Sequence, residues 1–268
     1  MGTRRTRIAF IGGGVMGEAM VKCLLTKGVA LPQDIVVSDI NASRRELLSR
    51  DCGVRVFADN KKAAANADLI ILAVKPQNLP EVVKEVKTLS SDQLVLSVVA
   101  GATLSSLCQS LDHSSVVRAM PNMPAQIGEG ITMWTASVGT ERKQKELAEA
   151  VLRALGKEIY VTDEKYLDMA TALSGSGPAY VFLFIEALVD AGVHIGLPRD
   201  VAQQLVTQTV LGSTLAVDKM SKHPADLRNM VTSPGGTTAE ALLQLEKGRF
   251  RSLLVKAVAA AYKKAKRL

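Results

Sequence analysis

Six residues near the start of the chain, Gly12-Gly13-Gly14-Val15-Met16-Gly17, constrain the fold more than any other feature. They follow an apolar β-branched stretch, Ile8-Ala9-Phe10-Ile11. They open a segment in which Val15, Met16, Ala19, Met20, Cys23 and Leu24 recur at helical spacing, and Gly28 stands where a helix C-terminal glycine belongs. Strand, Gly-x-Gly-x-x-Gly turn and helix, in that order, make the opening unit of a dinucleotide-binding fold. Gly12 permits the tight turn, Gly14 lets backbone approach a pyrophosphate, and Gly17 lets the helix pack close to the strand, with the helix N-terminus facing the negative charge. The competing reading, a glycine turn of purely structural purpose, lacks a reason for this flanking context.

Beyond that unit, β-branched runs alternate with helical stretches. Strands are expected at residues 7–11, 35–38, 54–57, 69–74, 94–98, 116–119, 131–134 and 158–161, several of them continuously apolar, as where helices cover both faces of a sheet. The alternation predicts an α/β fold with an N-terminal Rossmann-type, doubly wound parallel sheet. From Asp163 onward no period-two segment occurs, and residues 166–173, 178–195, 199–219, 238–245 and 250–266 carry helical patterns. Asp163 is a candidate helix N-cap, and Ser174-Gly175-Ser176-Gly177-Pro178, Gly196-Leu197-Pro198 and Ser233-Pro234-Gly235-Gly236 punctuate the helices. The expected division is residues 1–162, an NAD(P)-binding domain, and residues 163–268, an all-α domain.

The net charge of +7 raises the question of nucleic acid. Arg4, Arg5 and Arg7 open the chain and Lys263, Lys264, Lys266 and Arg267 close it; setting them aside leaves 26 basic against 26 acidic residues. The body is neutral, so no nucleic-acid partner is expected. Cys23, Cys52 and Cys108 form no Cys-x-x-Cys pair, and His113, His194 and His223 show no ligand spacing, so no metal site is expected and a reducing compartment fits. No apolar run approaches the roughly 18 residues of a membrane span, and no signal-peptide pattern precedes the first strand. No membrane partner and a cytoplasmic location follow as expectations.

Other positions converge on the dinucleotide. Asp39 lies 22 residues beyond Gly17, where an acidic side chain would bond the ribose 2′-hydroxyl of NAD, yet Ser38, Asn41, Ser43, Arg44 and Arg45 crowd the same loop and could hold the 2′-phosphate of NADP. The coenzyme preference stays open on these residues. Ala73-Val74-Lys75-Pro76 and Val99-Ala100-Gly101 end the fourth and fifth strands, on the ligand-binding edge of an open parallel sheet; Lys75 is either beside a ligand or a solvated turn residue. In the second domain, Thr237 is followed three residues later by Glu240, the capping-box signature. Glycines before a helix start leave N–H groups uncovered, and the hydroxyls of Ser233, Thr237 and Thr238 favour anion recognition there over an ordinary capped turn. Ser174–Pro178 is either a second nest of N–H groups, with Ser176 in the site, or a place of close packing.

The residues that carry a resemblance are Phe10–Gly17, Ala73-Val74-Lys75-Pro76, Ala100-Gly101, Arg118-Ala119-Met120-Pro121-Asn122, Leu173–Tyr180 and Val231–Thr238. Along essentially its whole length the chain resembles the pyrroline-5-carboxylate reductase family. The resemblance implies a Rossmann domain for NADPH, with NADH also possible, and a helical domain that forms a homodimer by interleaving long helices, in a larger ring such as a decamer. It implies cofactor contacts from Ser38, Asn60, Ala73, Lys75, Pro76 and Ala100, beside the candidates read from the chain itself: Gly12, Gly13, Gly14, Val15, Met16 and Gly17 of the turn, Arg44, and Val74, Val99 and Gly101 at the strand ends. Met230 falls at a further such position, where some members carry Asn. The loop from Ser233 through Gly235, Gly236 and Thr237 to Thr238 is implied to hold the substrate carboxylate, with Ser176 nearby and Thr238, the catalytic candidate, beside the ring nitrogen. The implied reaction is hydride transfer from NAD(P)H to 1-pyrroline-5-carboxylate, giving L-proline, the last step of proline biosynthesis; another cyclic imine acid is the alternative substrate. The β-hydroxyacid dehydrogenases share the Rossmann pattern, but they use a Lys on the first long helix and residues 178–195 contain none. A non-catalytic NAD(P)H sensor would need no carboxylate loop.

Overall fold

A computed structural model of the chain describes residues 5–86 and 89–267; Arg4, counted above in the basic opening, lies outside them. Eight strands form one sheet: β1 (Ile8–Ile11), β2 (Ile35–Ser38), β3 (Arg55–Phe57), β4 (Leu69–Leu72), β5 (Leu94–Ser97), β6 (Val116–Met120), β7 (Gly130–Ala136) and β8 (Gly156–Tyr160). All eight expected strands are present, displaced at their ends by at most a few residues. Six helices connect them: α1 (Val15–Thr26), α2 (Ala42–Cys52), α3 (Asn60–Ala64), α4 (Leu79–Glu85), α5 (Leu104–Leu111) and α6 (Arg142–Arg153).

Successive side chains of a strand point to opposite faces, and the strands of this sheet are apolar on both. Phe10, Ile35, Val37, Leu69 and Ile71 pack against Met20 and Leu24 of α1, Leu48 of α2 and Leu152 of α6 in one core. Ala9, Ile11, Ile70, Leu72 and Val95 join Ala63 of α3, Val83 of α4 and Leu107 of α5 in the other. That is the doubly wound arrangement, with each buried Leu or Ile worth roughly 1.5–3 kcal/mol. The strand order is β3-β2-β1-β4-β5-β6-β7-β8, so the order reverses between β1 and β4. A crevice outside the carboxyl ends of those two strands is where such sheets bind ligands.

The expectation of a wholly parallel sheet is corrected at one pairing: β7 runs antiparallel to β6, and β8 then runs parallel to β7. Residues 121–129 between β6 and β7 hold only a 3-10 turn, Met123–Ile127. Such a connection is shorter than the dozen or so residues of a parallel crossover, so the chain must double back.

By compactness the chain divides into two units: residues up to Ser176 together with those from Ala261 onward, and Gly177–Ala260. The first unit also holds α7 (Lys165–Ala170), where the Asp163 carboxylate accepts the Lys165 N–H at 3.0 Å, much as an N-cap would. A π turn, Thr171–Gly175, follows α7 directly. The expected break at Ser174–Pro178 is therefore absent and helical backbone continues through it. Pro178 has no N–H to offer the Ser174 carbonyl, and Asn122 Nδ2 donates to that carbonyl instead, at 3.2 Å.

The second unit contains α8 (Gly177–His194), α9 (Arg199–Met220), α10 (Pro224–Met230), α11 (Thr237–Lys247) and the start of α12 (Phe250–Ala265). Four of the five match expected helical patterns; α10, only seven residues long, was not foreseen. Helices α8 and α9 meet where Gly192 faces Ala202, since a Cβ on Gly192 would stand 3.0 Å from the Ala202 Cβ. Arg199 pairs with Asp190 at 2.8 Å, and Phe184 and Phe250 sit 6.3 Å apart between ring centres. Apolar side chains along these helices stay uncovered within the chain, among them Leu183 at 66% and Val255 at 70% exposure. The helical run Lys165–His194 is, by length and average hydropathy alone, apolar enough to cross a membrane, although Glu186 and Asp190 interrupt it.

Candidate active site

The glycine turn sits at the reversal of strand order. Gly12 follows β1 with φ +105°, and its N–H donates to the Ser38 carbonyl at 2.8 Å. A Cβ at Gly12 would stand 2.6 Å from the carbonyl oxygen of Ala73, just past β4. A Cβ at Gly17 would overlap the Gly12 carbonyl oxygen, so close approach of α1 to the end of β1 requires glycine. Gly14 is the residue before α1, its side-chain position is open, and no side chain caps the helix there. Those features suit a dinucleotide pyrophosphate: a cradle that Cβ atoms would fill, at the positive end of a helix. Val15 is exposed and Met16 packs on the core beneath.

The loop after β2 and the first turn of α2 brace the glycine turn. Asp39 Oδ2 accepts the Gly13 N–H at 2.8 Å and Oδ1 accepts the Asn41 N–H at 2.8 Å. Both carboxylate oxygens thus serve backbone, a role that spacing alone did not reveal. Arg44 donates to the Gly13 carbonyl from Nε and Nη2, at 2.8 and 2.6 Å, and Nη2 also reaches Glu18 Oε2 at 2.6 Å. The Lys22 ammonium, and after it the Arg44 guanidinium, hold the Glu18 carboxyl below its ordinary value. Arg45 is taken up by the carbonyls of Asp39 and Ile40.

The remaining cofactor candidates lie on the same edge. Ser38, fully buried, donates to Asn60 Oδ1 at 2.6 Å, and Asn60 Nδ2 donates to Glu85 Oε2. Ala73, Val74, Lys75 and Pro76 follow β4; Lys75 is exposed and precedes a 3-10 turn, Pro76–Asn78. Val99, Ala100 and Gly101 follow β5, with Gly101 at φ +77°. The structure thus brings this set together at the carboxyl ends of β1, β2, β4 and β5 and the start of α3.

In the second unit, Ser233–Gly236 forms a turn closed by the Gly236 N–H donating to the Ser233 carbonyl at 3.1 Å, with Pro234 second and Gly235 third at φ +65°. Proline then left-handed glycine is the chemistry of a type II turn. A Cβ at Gly236 would overlap Ser233 Oγ. The capping box expected at Thr237 and Glu240 does not form: α11 begins one residue earlier, with Gly236 as its N-cap and no side-chain cap. A glycine cap covers none of the first-turn N–H groups with side chain, a setting that suits an anion, although the Ala239 N–H is taken by the Gly236 carbonyl at 3.0 Å. Thr238, half-buried, stands in that first turn and Thr237 is exposed. Met230 ends α10, and its sulfur lies 3.5 Å from Lys222 Nζ. Ser176 is not in this unit; it closes the first, where its N–H and hydroxyl both donate to the Thr171 carbonyl. That occupation removes the expected nest of free N–H groups at this point.

Sequence reasoning assigned no role to the Arg118 side chain, although a lone Arg inside the apolar strand β6 was the available signal. It is 4% exposed and bonds Glu164 and Asp168 at 2.8 and 2.9 Å. Burial pushes the thiols of Cys23, Cys52 and Cys108 up, away from the thiolate form.

Comparison with known proteins agrees with this geometry. The family model described as pyrroline-5-carboxylate reductase dimerisation matches residues 164–268, and one described as NADP oxidoreductase, coenzyme F420-dependent, matches residues 7–101. The chain is 41% identical to a pyrroline-5-carboxylate reductase of Synechocystis and 37% identical to that of Escherichia coli, in each case over 98% of both chains. Among solved structures it is similar to the Coxiella burnetii reductase, with TM-score 0.90 and 39% identity over 98% of both chains. It is likewise similar to the Plasmodium falciparum enzyme with NADP bound, with TM-score 0.90 and 31% identity over 99% of both. With a glycine turn at the reversal of strand order in one unit, a glycine-capped helix start in the other and full-length similarity to these enzymes, the chain belongs to the pyrroline-5-carboxylate reductase family.

Proposed function

We propose that residues 1–162 hold the reduced dinucleotide and residues 163–268 hold the imine in the reduction of 1-pyrroline-5-carboxylate to L-proline. Membership of the family makes the chain an NAD(P)H-dependent oxidoreductase and a homo-oligomer that acts on a small molecule. When bound, the cofactor supplies a hydride to C5 of the cyclic imine. The chain's own residues bind and orient. Gly12 through Gly17 receive the pyrophosphate, Val15 and Met16 among them, while Ser38, Arg44 and Asn60 face the adenosine end. Val74, Lys75 and Pro76 after β4, with Ala73, and Val99, Ala100 and Gly101 after β5 line the rest. NADPH is the coenzyme of this reading, with NADH also possible, and a related enzyme with NADP bound supports it. Ser233, Gly235, Gly236 and Thr237 take the substrate carboxylate at the N-terminus of α11, and Ser176 is a further substrate contact. The Thr238 hydroxyl bonds the ring nitrogen and retains its proton; a protonated imine is already electrophilic, so alignment and exclusion of water carry the rest of the rate. The protein works as a homodimer within a larger ring such as a decamer, in the cytoplasm, with neither membrane nor nucleic acid as partner.

The observation that carries this reading is the Ser233–Gly236 turn, which ends in a glycine N-cap one residue before Thr237 and Thr238. Loss of reduced-nicotinamide absorbance with 1-pyrroline-5-carboxylate tests it, run once with NADPH and once with NADH. Thr238→Ala is expected to lower kcat/KM by about 1–3 kcal/mol in transition-state binding, roughly fivefold to 150-fold. Unchanged kcat/KM removes Thr238 from the chemistry, and no turnover by protein that binds NADPH overturns the reaction.

A further inference from the structure

The strand β6 reaches toward the α7 segment at alternate residues. Arg118 Nη1 donates to Glu164 Oε1 and Nη2 to Asp168 Oδ1, two carboxylates one helical turn apart. Two residues on, Met120 Cε lies 3.1 Å from where a Gly175 Cβ would be. Two further, Asn122 Nδ2 bonds the Ser174 carbonyl while its Oδ1 accepts the Ile131 N–H at 3.0 Å. Alternate residues of a strand share a face, so Arg118 and Met120 of β6, with Asn122 just beyond the strand, follow the helical backbone from Glu164 to the π turn before Ser176.

The same Glu164 oxygen has a second duty, because it accepts the Leu104 N–H at 2.8 Å. Leu104 opens α5, three residues after Gly101, and β5 and β6 are paired with Ser97 beside Arg118. With the pyrophosphate at the end of β1 and the adenosine end at β2, the nicotinamide half of a dinucleotide extends toward β4 and β5. Arg118 is thus one covalent frame with two grips: through Glu164 it holds the loop after β5, and through Asp168 and its own strand it holds the turn that ends in Ser176. An arginine suits this, since its planar fork sets two carboxylates at fixed directions.

We propose that Arg118, acting through Glu164, is a positioning residue that sets the Val99–Gly101 loop against the Ser176 turn and so aligns hydride transfer. The proposal rests on the roles given to those residues under the proposed function. Removing a buried arginine risks unfolding, so the test is made at Glu164. In Glu164→Ala both Leu104 and Arg118 lose their acceptor, whereas Glu164→Gln keeps a carbonyl oxygen for them. Expected for Glu164→Ala are a fall in kcat of about tenfold and an NADPH Kd within about threefold of wild type, because the glycine turn and Arg44 are untouched. Amide hydrogen exchange at Leu104 is expected to speed up, a readout independent of turnover. Glu164→Gln is expected to restore kcat to within about threefold of wild type. An unchanged kcat or an unchanged Leu104 exchange rate in Glu164→Ala overturns the inference, as does a loss of NADPH affinity and melting temperature in step with kcat. Wild-type protein that leaves the imine unreduced overturns the proposed function itself, which separates the two failures.

Discussion

Glu18 stands in the first turn of α1 and is shared by Lys22, one turn on in the same helix, and Arg44 from the first turn of α2. Through Arg44 it fastens the start of α2 to the glycine turn. Its folded pKa lies below the ordinary value of 4.5, so the contribution to stability is present above that pH and is lost as the pH falls through the folded value. The gap in melting temperature between wild type and Glu18→Gln is therefore expected to be widest near neutrality and to close on acidification below 4.5; a gap constant with pH assigns the effect to packing. Gly12 and Gly17 were legible from spacing, because each meets a local demand of backbone conformation or close approach. Asp39 was only half legible: its place after β2 is local, but its bonds to the Gly13 and Asn41 N–H groups come from how two loops meet.

Helix ends show the same division. At both Gly28 and Gly196 the chain leaves a helix through a left-handed glycine with the paired bonds of a Schellman motif. Gly28 and Val29 donate to Leu25 and Leu24, and Gly196 and Leu197 to Val193 and Gly192. Gly196 has φ +105° and open space where a Cβ would go, so Gly196→Ala is expected to cost backbone strain alone, about 1–2 kcal/mol, seen as a lower melting temperature. The start of α11 misled, because Thr237 and Glu240 have capping-box spacing while the turn before them delivers Gly236 into the cap position. The direction of β7 also escaped the pattern, since strand periodicity is the same in either direction. Helix α10 is too short for its periodicity to rise above its surroundings.

On the scale of the molecule, Gly177–Ala260 buries few side chains by itself while leaving Leu211 and Leu215, one turn apart on α9, 52% and 40% exposed. Uncovered apolar surface of this extent marks an interface, in accord with the dimerisation family matched over residues 164–268. Light scattering on the double variant Leu211→Asp, Leu215→Asp is expected to show a smaller particle than wild type, with a lower melting temperature. An unchanged mass places the interface on another face of the helices.

The sequence by itself determined which segments are strands, most of the helices, the glycines of the first turn and that a sheet covered on both faces precedes a helical unit. Each of those follows from the period of apolar residues or the conformational freedom of one residue, and such causes act over a few positions of chain. Only the tertiary structure decided that β7 turns back, that Asp39 and Arg44 brace Gly13, and that Arg118 joins Glu164 and Asp168. Those contacts link residues 26 to 50 positions apart, and what selects them is the need to satisfy buried charge and backbone donors in a space that exists only once the strands have paired.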